Sequence, residues 1–234
     1  MRPATIVEGL DAPITQQADD IDQVWNLFLT IGLAVLVLVL VLVFYIVVRF
    51  RRRDDRLPIQ KHYNIPMEVT YTVIPLIVIM ALFLVTVGSI WAIDDVENPP
   101  DLTVDVTAFQ WQWQFDYPAA GVSVVGGGGG DNPIPELVLP ARSTVQFDLE
   151  SLDVIHSFWI TAFRFKRDMI PGSPSSFRVD ITDAPGFYPN AGVCAEFCGL
   201  DHARMQFSVR VLESDEFATW IAQQQASAGA EVGS

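Results

Sequence analysis

Two cysteines, a histidine and a methionine crowd into one stretch, NAGVCAEFCGLDHARM, where Cys194, Cys198, His202 and Met205 fall within twelve residues. Thiolate, imidazole and thioether donors together select copper over the oxygen-preferring cations. A cysteine, a histidine and a methionine a few residues apart, joined by a second histidine from a distant strand, form the pattern of a mononuclear copper site. His156, in DVIHSFW, is the only other histidine after Asp94 and supplies that fourth ligand. Cys194 is surplus to such a site. Placed four residues before Cys198, it can bridge two copper ions with it, so the spacing argues for a binuclear centre. Other chemistries use parts of the same set: a Cys194–Cys198 disulfide in an oxidising compartment, a tetrahedral zinc site of Cys2His2 type, or Cys198 as a nucleophile with His202 as its base. Each leaves at least Met205 without a role.

The elements that must position this loop are strands. LTVDVTAF (102–109), TVQFDLE (144–150), SFRVDIT (176–182) and QFSVRVL (206–212) alternate with period two between Pro, Gly, Asn and Asp, which predicts a β-sandwich or barrel. Five consecutive glycines, Gly126 to Gly130, followed by Asn132, Pro133 and Pro135, predict a flexible hairpin tip or insertion. SDEFATWIAQQQ (214–225) predicts a helix, with Ser214 as N-cap and acids in its first turn.

Upstream the chain changes character. No charge occurs in the 26 residues between Asp22 and Arg49, nor in the 25 between Glu68 and Asp94. At about 1.5 Å per residue, either run crosses a hydrocarbon core of roughly 30 Å as a helix. Two spans, about 25–48 and 69–93, are therefore predicted, with a loop at 49–68 between them. That loop holds Arg49, Arg51, Arg52, Arg53, Arg56 and Lys61 against Asp54 and Asp55, which places it on the cytoplasmic side and both termini outside. The first 22 residues read as an outer tail with acids Glu8, Asp11, Asp19, Asp20 and Asp22. Trp25 and Trp91 mark the two outer span ends. The net charge of -14 and the scarcity of Lys and Arg exclude a nucleic-acid partner, and no C-x-x-C-H run exists to attach a c-type haem. A domain of 94–213 followed by a helix and tail at 214–234 completes the expected organisation.

From about Gln23 to Leu212, this combination of two spans, an outer β domain and C-A-E-F-C-G-L-D-H-A-R-M resembles subunit II of cytochrome c oxidase. The resemblance implies a two-helix transmembrane hairpin followed by a cupredoxin-like domain carrying the dinuclear copper centre CuA. It also implies that Cys194 and Cys198 bridge the metals, with His156 and Met205 completing one and His202 and the backbone carbonyl of Glu196 the other. The Glu196 carboxylate would help hold a Mg ion shared with subunit I. Nitrous oxide reductase, which has a similar centre, usually carries Trp at this position, and quinol oxidase homologues have lost the copper ligands.

The remaining roles implied are carried over position by position. In QWQWQFDYP (110–118), Trp111 falls on the tryptophan through which electrons enter, although Gln112 stands where Tyr is common. Asp116 and Asp153 fall near positions that dock a basic cytochrome, where acids accelerate encounter. Glu68, at the start of the second span, matches a carboxylate at the mouth of a proton channel shared with subunit I. FKRDMIPG (165–172) resembles a stretch near the subunit I interface. The implied partners are subunit I with haem and a further copper, subunit III, and a cytochrome c or the cytochrome c domain of a neighbouring complex, all in a bacterial cell membrane. The function expected is electron transfer from that donor to subunit I during proton-pumping oxygen reduction. A membrane-anchored carrier that binds and delivers copper is the alternative.

Overall fold

The computed structural model describes residues 12–52, 61–94, 99–128 and 132–232. Glu8 and Asp11 of the expected tail, Arg53, Asp54, Asp55 and Arg56 of the expected loop, and Gly129 and Gly130 lie outside the described residues. The chain divides into two units, residues 22–92 and a larger one made of residues 1–21 and 93–234.

The smaller unit contains most of two long helices, α1 (Gln16–Arg49) and α2 (Ile65–Asp94). Both start earlier than hydrophobicity alone predicts, because polar residues cap them outside the apolar runs. The Thr15 hydroxyl accepts the Ala18 N–H at 3.1 Å, and Asp19 sits in the first turn of α1. At the start of α2, the Asn64 side chain accepts the Met67 N–H, while Glu68 reaches back to the Asn64 N–H at 2.9 Å. Pro75 lies inside α2, and the hydroxyls of Thr70, Thr86 and Ser89 each donate to the carbonyl four residues back. Such internal satisfaction is what a helix in hydrocarbon requires. Most apolar side chains along the two uncharged runs are exposed, as lipid-facing groups are.

The larger unit is a sandwich of two five-stranded sheets. The first has the order β3 (Val122–Gly126), β2 (Gln112–Tyr117), β1 (Leu102–Phe109), β5 (Thr144–Ser151), β8 (Ser175–Asp180). The second runs β4 (Glu136–Pro140), β10 (Gln206–Leu212), β9 (Gly186–Cys194), β6 (His156–Ile160), β7 (Phe165–Met169). Pairing is antiparallel except for β1 with β5 and β4 with β10. Alternation sends Val104, Val106, Trp113, Phe115, Phe147 and Leu149 inward from the first sheet to meet Phe158, Phe207 and Val209 of the second. Phe158 and Phe207 stack with centroids 5.2 Å apart, and Trp113 meets both rings edge-on.

Three features differ from the expectations. The strands on either side of the glycine run do not pair as a hairpin: β3 pairs with β2 in the first sheet and β4 with β10 in the second. Residues 12–18 of the expected tail form part of the sandwich. Ile14 is fully buried, donates its N–H to Ala162 and accepts the N–H of Thr182, while Thr15 bridges to Ile181. Helix α3 (Ser214–Val232) extends past its expected end and packs Phe217, Trp220 and Ile221 against the sandwich.

Candidate metal centre

Strand β9 ends on Cys194 and β10 begins one residue after Met205, so the whole cysteine loop spans one gap between antiparallel neighbours. The Cys194 N–H donates to the Met205 carbonyl at 3.0 Å and closes the loop at its base. Inside the loop, Gly199 adopts φ +120°, a conformation that glycine tolerates, and His202–Arg204 form a short 3-10 turn. His156 opens β6 two residues before Phe158, the register partner of Cys194. A strand end and a loop base are thereby brought side by side.

The six expected ligand positions converge. The Cys194 Sγ lies 3.8 Å from the Cys198 Sγ, 3.7 Å from the His156 Nδ1 and 3.2 Å from the Glu196 carbonyl oxygen. The Cys198 Sγ lies 3.6 Å from the His202 Nδ1 and 3.8 Å from the Met205 Sδ. His156, Cys194 and Cys198 form a group of metal-ligating atoms all within 4.8 Å of one another. Both cysteines are free thiols, and their separation is far beyond a disulfide bond of about 2.05 Å. Two sulfurs flanked by two imidazole nitrogens, a thioether and a carbonyl fit a pair of soft metal ions in number and in kind.

Electrostatics prepares the thiols differently. Burial raises both, but hydrogen bonds with His156, the Ser157 and Glu196 backbone and His202 bring Cys194 down to about 7. Cys198 is pushed up to about 12, by burial and then by the neighbouring charge of Cys194. The pair therefore sheds a first proton near neutrality and holds the second, which a binding cation displaces. The ring of His156 is fully buried, and burial opposes its charge. Hydrogen bonds to Cys194 and Asp153 outweigh that and raise its pKa.

Asp153 stands in a place that the sequence did not indicate. One of its oxygens accepts from the His156 Nε2 at 2.9 Å and from the Val154 N–H, and the other accepts the Gln110 N–H at 2.7 Å. Burial raises its pKa, but these donors prevail and lower it. It orients the imidazole so that Nδ1 faces Cys194, as carboxylates behind metal-binding histidines do. A signal was present, an acid three residues before a histidine at a strand start. Trp111 is partly exposed and donates its indole N–H to the Cys198 carbonyl at 3.1 Å. Its neighbour Trp113 is fully buried. Asp116, five residues along β2 and about 17 Å away by strand rise, belongs to the outer face of the first sheet. Glu68 lies in the helical unit and caps α2.

The comparisons with known proteins agree with this geometry. Residues 6–88 match the family "Cytochrome C oxidase subunit II, transmembrane domain", and residues 131–212 match its periplasmic domain. A probable cytochrome c oxidase subunit 2 from Streptomyces avermitilis is 36% identical, covering 89% of this chain and 76% of that protein. A cytochrome c oxidase subunit 2 from Mycobacterium bovis is 30% identical over 92% of this chain and 74% of its own length. The crystal structure of the periplasmic domain of cytochrome oxidase subunit II from Bradyrhizobium japonicum is similar with a TM-score of 0.50 and 30% identity, covering 56% of this chain and 97% of that one. With apolar helices, sandwich and ligand loop all accounted for, the chain belongs to the subunit II family of cytochrome c oxidase.

Proposed function

We propose that this membrane subunit receives electrons from a cytochrome c donor at a dinuclear copper centre held by His156, Cys194, the Glu196 carbonyl, Cys198, His202 and Met205, and passes them to haem in subunit I. The observation that carries the reading is the convergence of those six donors around two reduced sulfurs 3.8 Å apart. Cys194 and Cys198 would hold a copper pair between them, and such a group would supply one-electron transfer with little change in geometry. The chain's own residues keep that geometry fixed: two paired strands of the second sheet, β6 and β9, hold His156 and Cys194, and Asp153 holds the imidazole. The fully buried His156 and Met205 favour a resident metal over the exchangeable one that a copper-delivery protein needs.

Trp111 is the residue through which electrons enter, supported by its partial exposure and its hydrogen bond to the peptide of Cys198. Asp116 steers a basic donor, which is a soluble cytochrome c or the cytochrome c domain of a neighbouring complex. Asp153 contributes charge to that docking in addition to orienting His156. The Glu196 carboxylate, exposed beside the loop, helps hold a Mg ion shared with subunit I. Phe197 and Leu200 are 77% and 88% exposed on the same loop, an apolar lip suited to a covering subunit. Glu68 lies at the cytoplasmic mouth of a proton channel shared with subunit I, and subunit III completes the core complex. The basic residues Arg49, Arg51, Arg52 and Lys61 favour a cytoplasmic loop, with both termini outside a bacterial cell membrane.

The test is metal analysis with EPR and near-infrared absorption on the full-length chain, purified in detergent and loaded with copper. The expected result is two coppers per chain and a hyperfine pattern from one electron shared over both nuclei. One copper with an ordinary blue spectrum, or none with a Cys194–Cys198 disulfide, would overturn the reading.

A further inference from the structure

Between β1 and β2 the chain turns at Gln110 and Trp111, and this turn lies over the cysteine loop. The Gln110 side chain donates its Nε2–H to the Cys198 carbonyl at 2.8 Å, the same oxygen that accepts the Trp111 indole N–H at 3.1 Å. Two donors use both acceptor sites of that carbonyl. The backbone N–H of Gln110 donates at 2.7 Å to Asp153, whose other oxygen holds the ring of His156. One residue thus reaches the peptide of one expected ligand directly and the imidazole of another through a single carboxylate. Gln110 is itself solvent-exposed, where a glutamine amide is ordinarily satisfied by water.

The surroundings are shaped for this contact. A Cβ on Gly199 would come within 3.1 Å of both the Gln110 Nε2 and the Trp111 Nε1, and its φ of +120° also favours glycine, so the turn and the loop are closely packed here. On the other side of the turn, a Cβ on Gly128 would come within 2.8 Å of the Trp111 carbonyl oxygen. Gly128, just after β3, therefore backs the turn while the cysteine loop faces it.

From these contacts we infer that Gln110 is a positioning residue, which locks the electron-accepting Trp111 and the copper ligands Cys198 and His156 into one hydrogen-bonded frame. The inference rests on the copper reading given above. Without Gln110, Trp111 keeps one hydrogen bond to the loop and the loop loses one of the two donors on the Cys198 carbonyl. Loop and turn then open independently. Removal of a donor dipole beside Cys198 would also disfavour the electron-rich reduced form of the copper centre, so the reduction potential would fall.

The test uses the full-length chain in detergent with Gln110→Met, which keeps length without a donor, and Gln110→Asn, which keeps the amide without the reach. In the copper-free protein, amide exchange across residues 110–112 and 196–202 accelerates about fivefold in both variants, the opening expected for one lost hydrogen bond. In the copper-loaded protein, both variants show a lowered reduction potential and altered copper hyperfine splitting. Exchange, potential and spectrum unchanged in both variants would overturn the inference. So would faster exchange spread evenly over the sandwich, which would make Gln110 a residue of general stability. A wild-type chain that binds no copper pair would overturn the copper reading, while the exchange measurement would still test the frame.

Discussion

Replacement of Gly192 by alanine tests how firmly the packing beneath the metal loop is set. A Cβ at this position falls 2.1 Å from the Cε2 and Cζ atoms of Phe207, deep inside van der Waals contact. Phe207 has nowhere to retreat, since it is fully buried against Phe158 at 5.2 Å, Trp113 at 5.3 Å and Phe115 at 5.1 Å. Overpacking a core costs about 1–3 kcal/mol, and four locked rings place Gly192→Ala at about 2–3. At roughly 3–5 °C per kcal/mol for a domain of this size, the melting temperature falls by roughly 6–15 °C. Phe207→Leu alone leaves a void and costs about 1.5 kcal/mol. In the double variant the new methyl enters that void, so the combined loss is smaller than the sum by at least about 1 kcal/mol. The assay is thermal unfolding of the full-length chain in detergent, followed by tryptophan fluorescence. Because Gly192 pairs with Phe207, and Cys194 and Met205 flank that pair, copper retention should fall in Gly192→Ala and recover in the double variant. An unchanged melting temperature in Gly192→Ala, or strict additivity, would refute the argument.

Three further outcomes follow from described contacts. Asp105 faces Asp116 on one neighbouring strand and Asp148 on the other, and burial followed by these two charges raises its pKa. A folded-state value above the unfolded one means that stability falls as pH rises from the ordinary carboxylate value through the raised one. Asp105→Asn should therefore stabilise the chain at pH 7 by about 0.2–1 kcal/mol, and the gain should vanish near pH 3; an unchanged melting temperature at pH 7 would count against it. The Tyr117 hydroxyl donates to the Val138 carbonyl and accepts the Val138 N–H, tying the two sheets together. Tyr117→Phe strands both buried groups and should cost about 2–4 kcal/mol by urea unfolding, with a loss below 1 showing that the tie is dispensable. Asp153→Ala removes the acceptor behind His156 and should weaken copper binding by about 10–100-fold in a competition titration. Slower, less salt-sensitive reaction with the donor at unchanged copper affinity would instead make Asp153 a docking charge alone.

The ligand loop was legible in sequence because it is local: Cys194, Cys198, His202 and Met205 fall on one short connection, and His156 was the only remaining histidine of its domain. Strands β1 and β10 were legible to the residue, since each has one face buried and one wet. Strand β9 was not, because Pro189, Asn190 and Gly192 read as loop residues and only its last turn of chain is buried. The insertion of Ile14 escaped for a different reason: a single apolar side chain in a polar segment has no periodicity to detect, and its partners Ala162 and Thr182 are remote in sequence. The same remoteness hid the bond from Gln110 to Cys198. Asp153 was read as a docking acid because the sequence shows its charge and not its direction.

The place of β10 inside the second sheet has a consequence for the order of biosynthesis. Among the described residues strand β4 pairs only with β10, so residues 136–140 wait for that partner until residue 206 and its successors have been synthesised. The thiols of Cys194 and Cys198 are made only at the end of that interval, just before the Met205 side chain and the strand that braces the loop. Early metal or oxidant would meet a flexible dithiol with none of the selectivity of the finished loop. On the copper reading proposed above, metal insertion follows completion of β10, and until then the second sheet keeps an open edge.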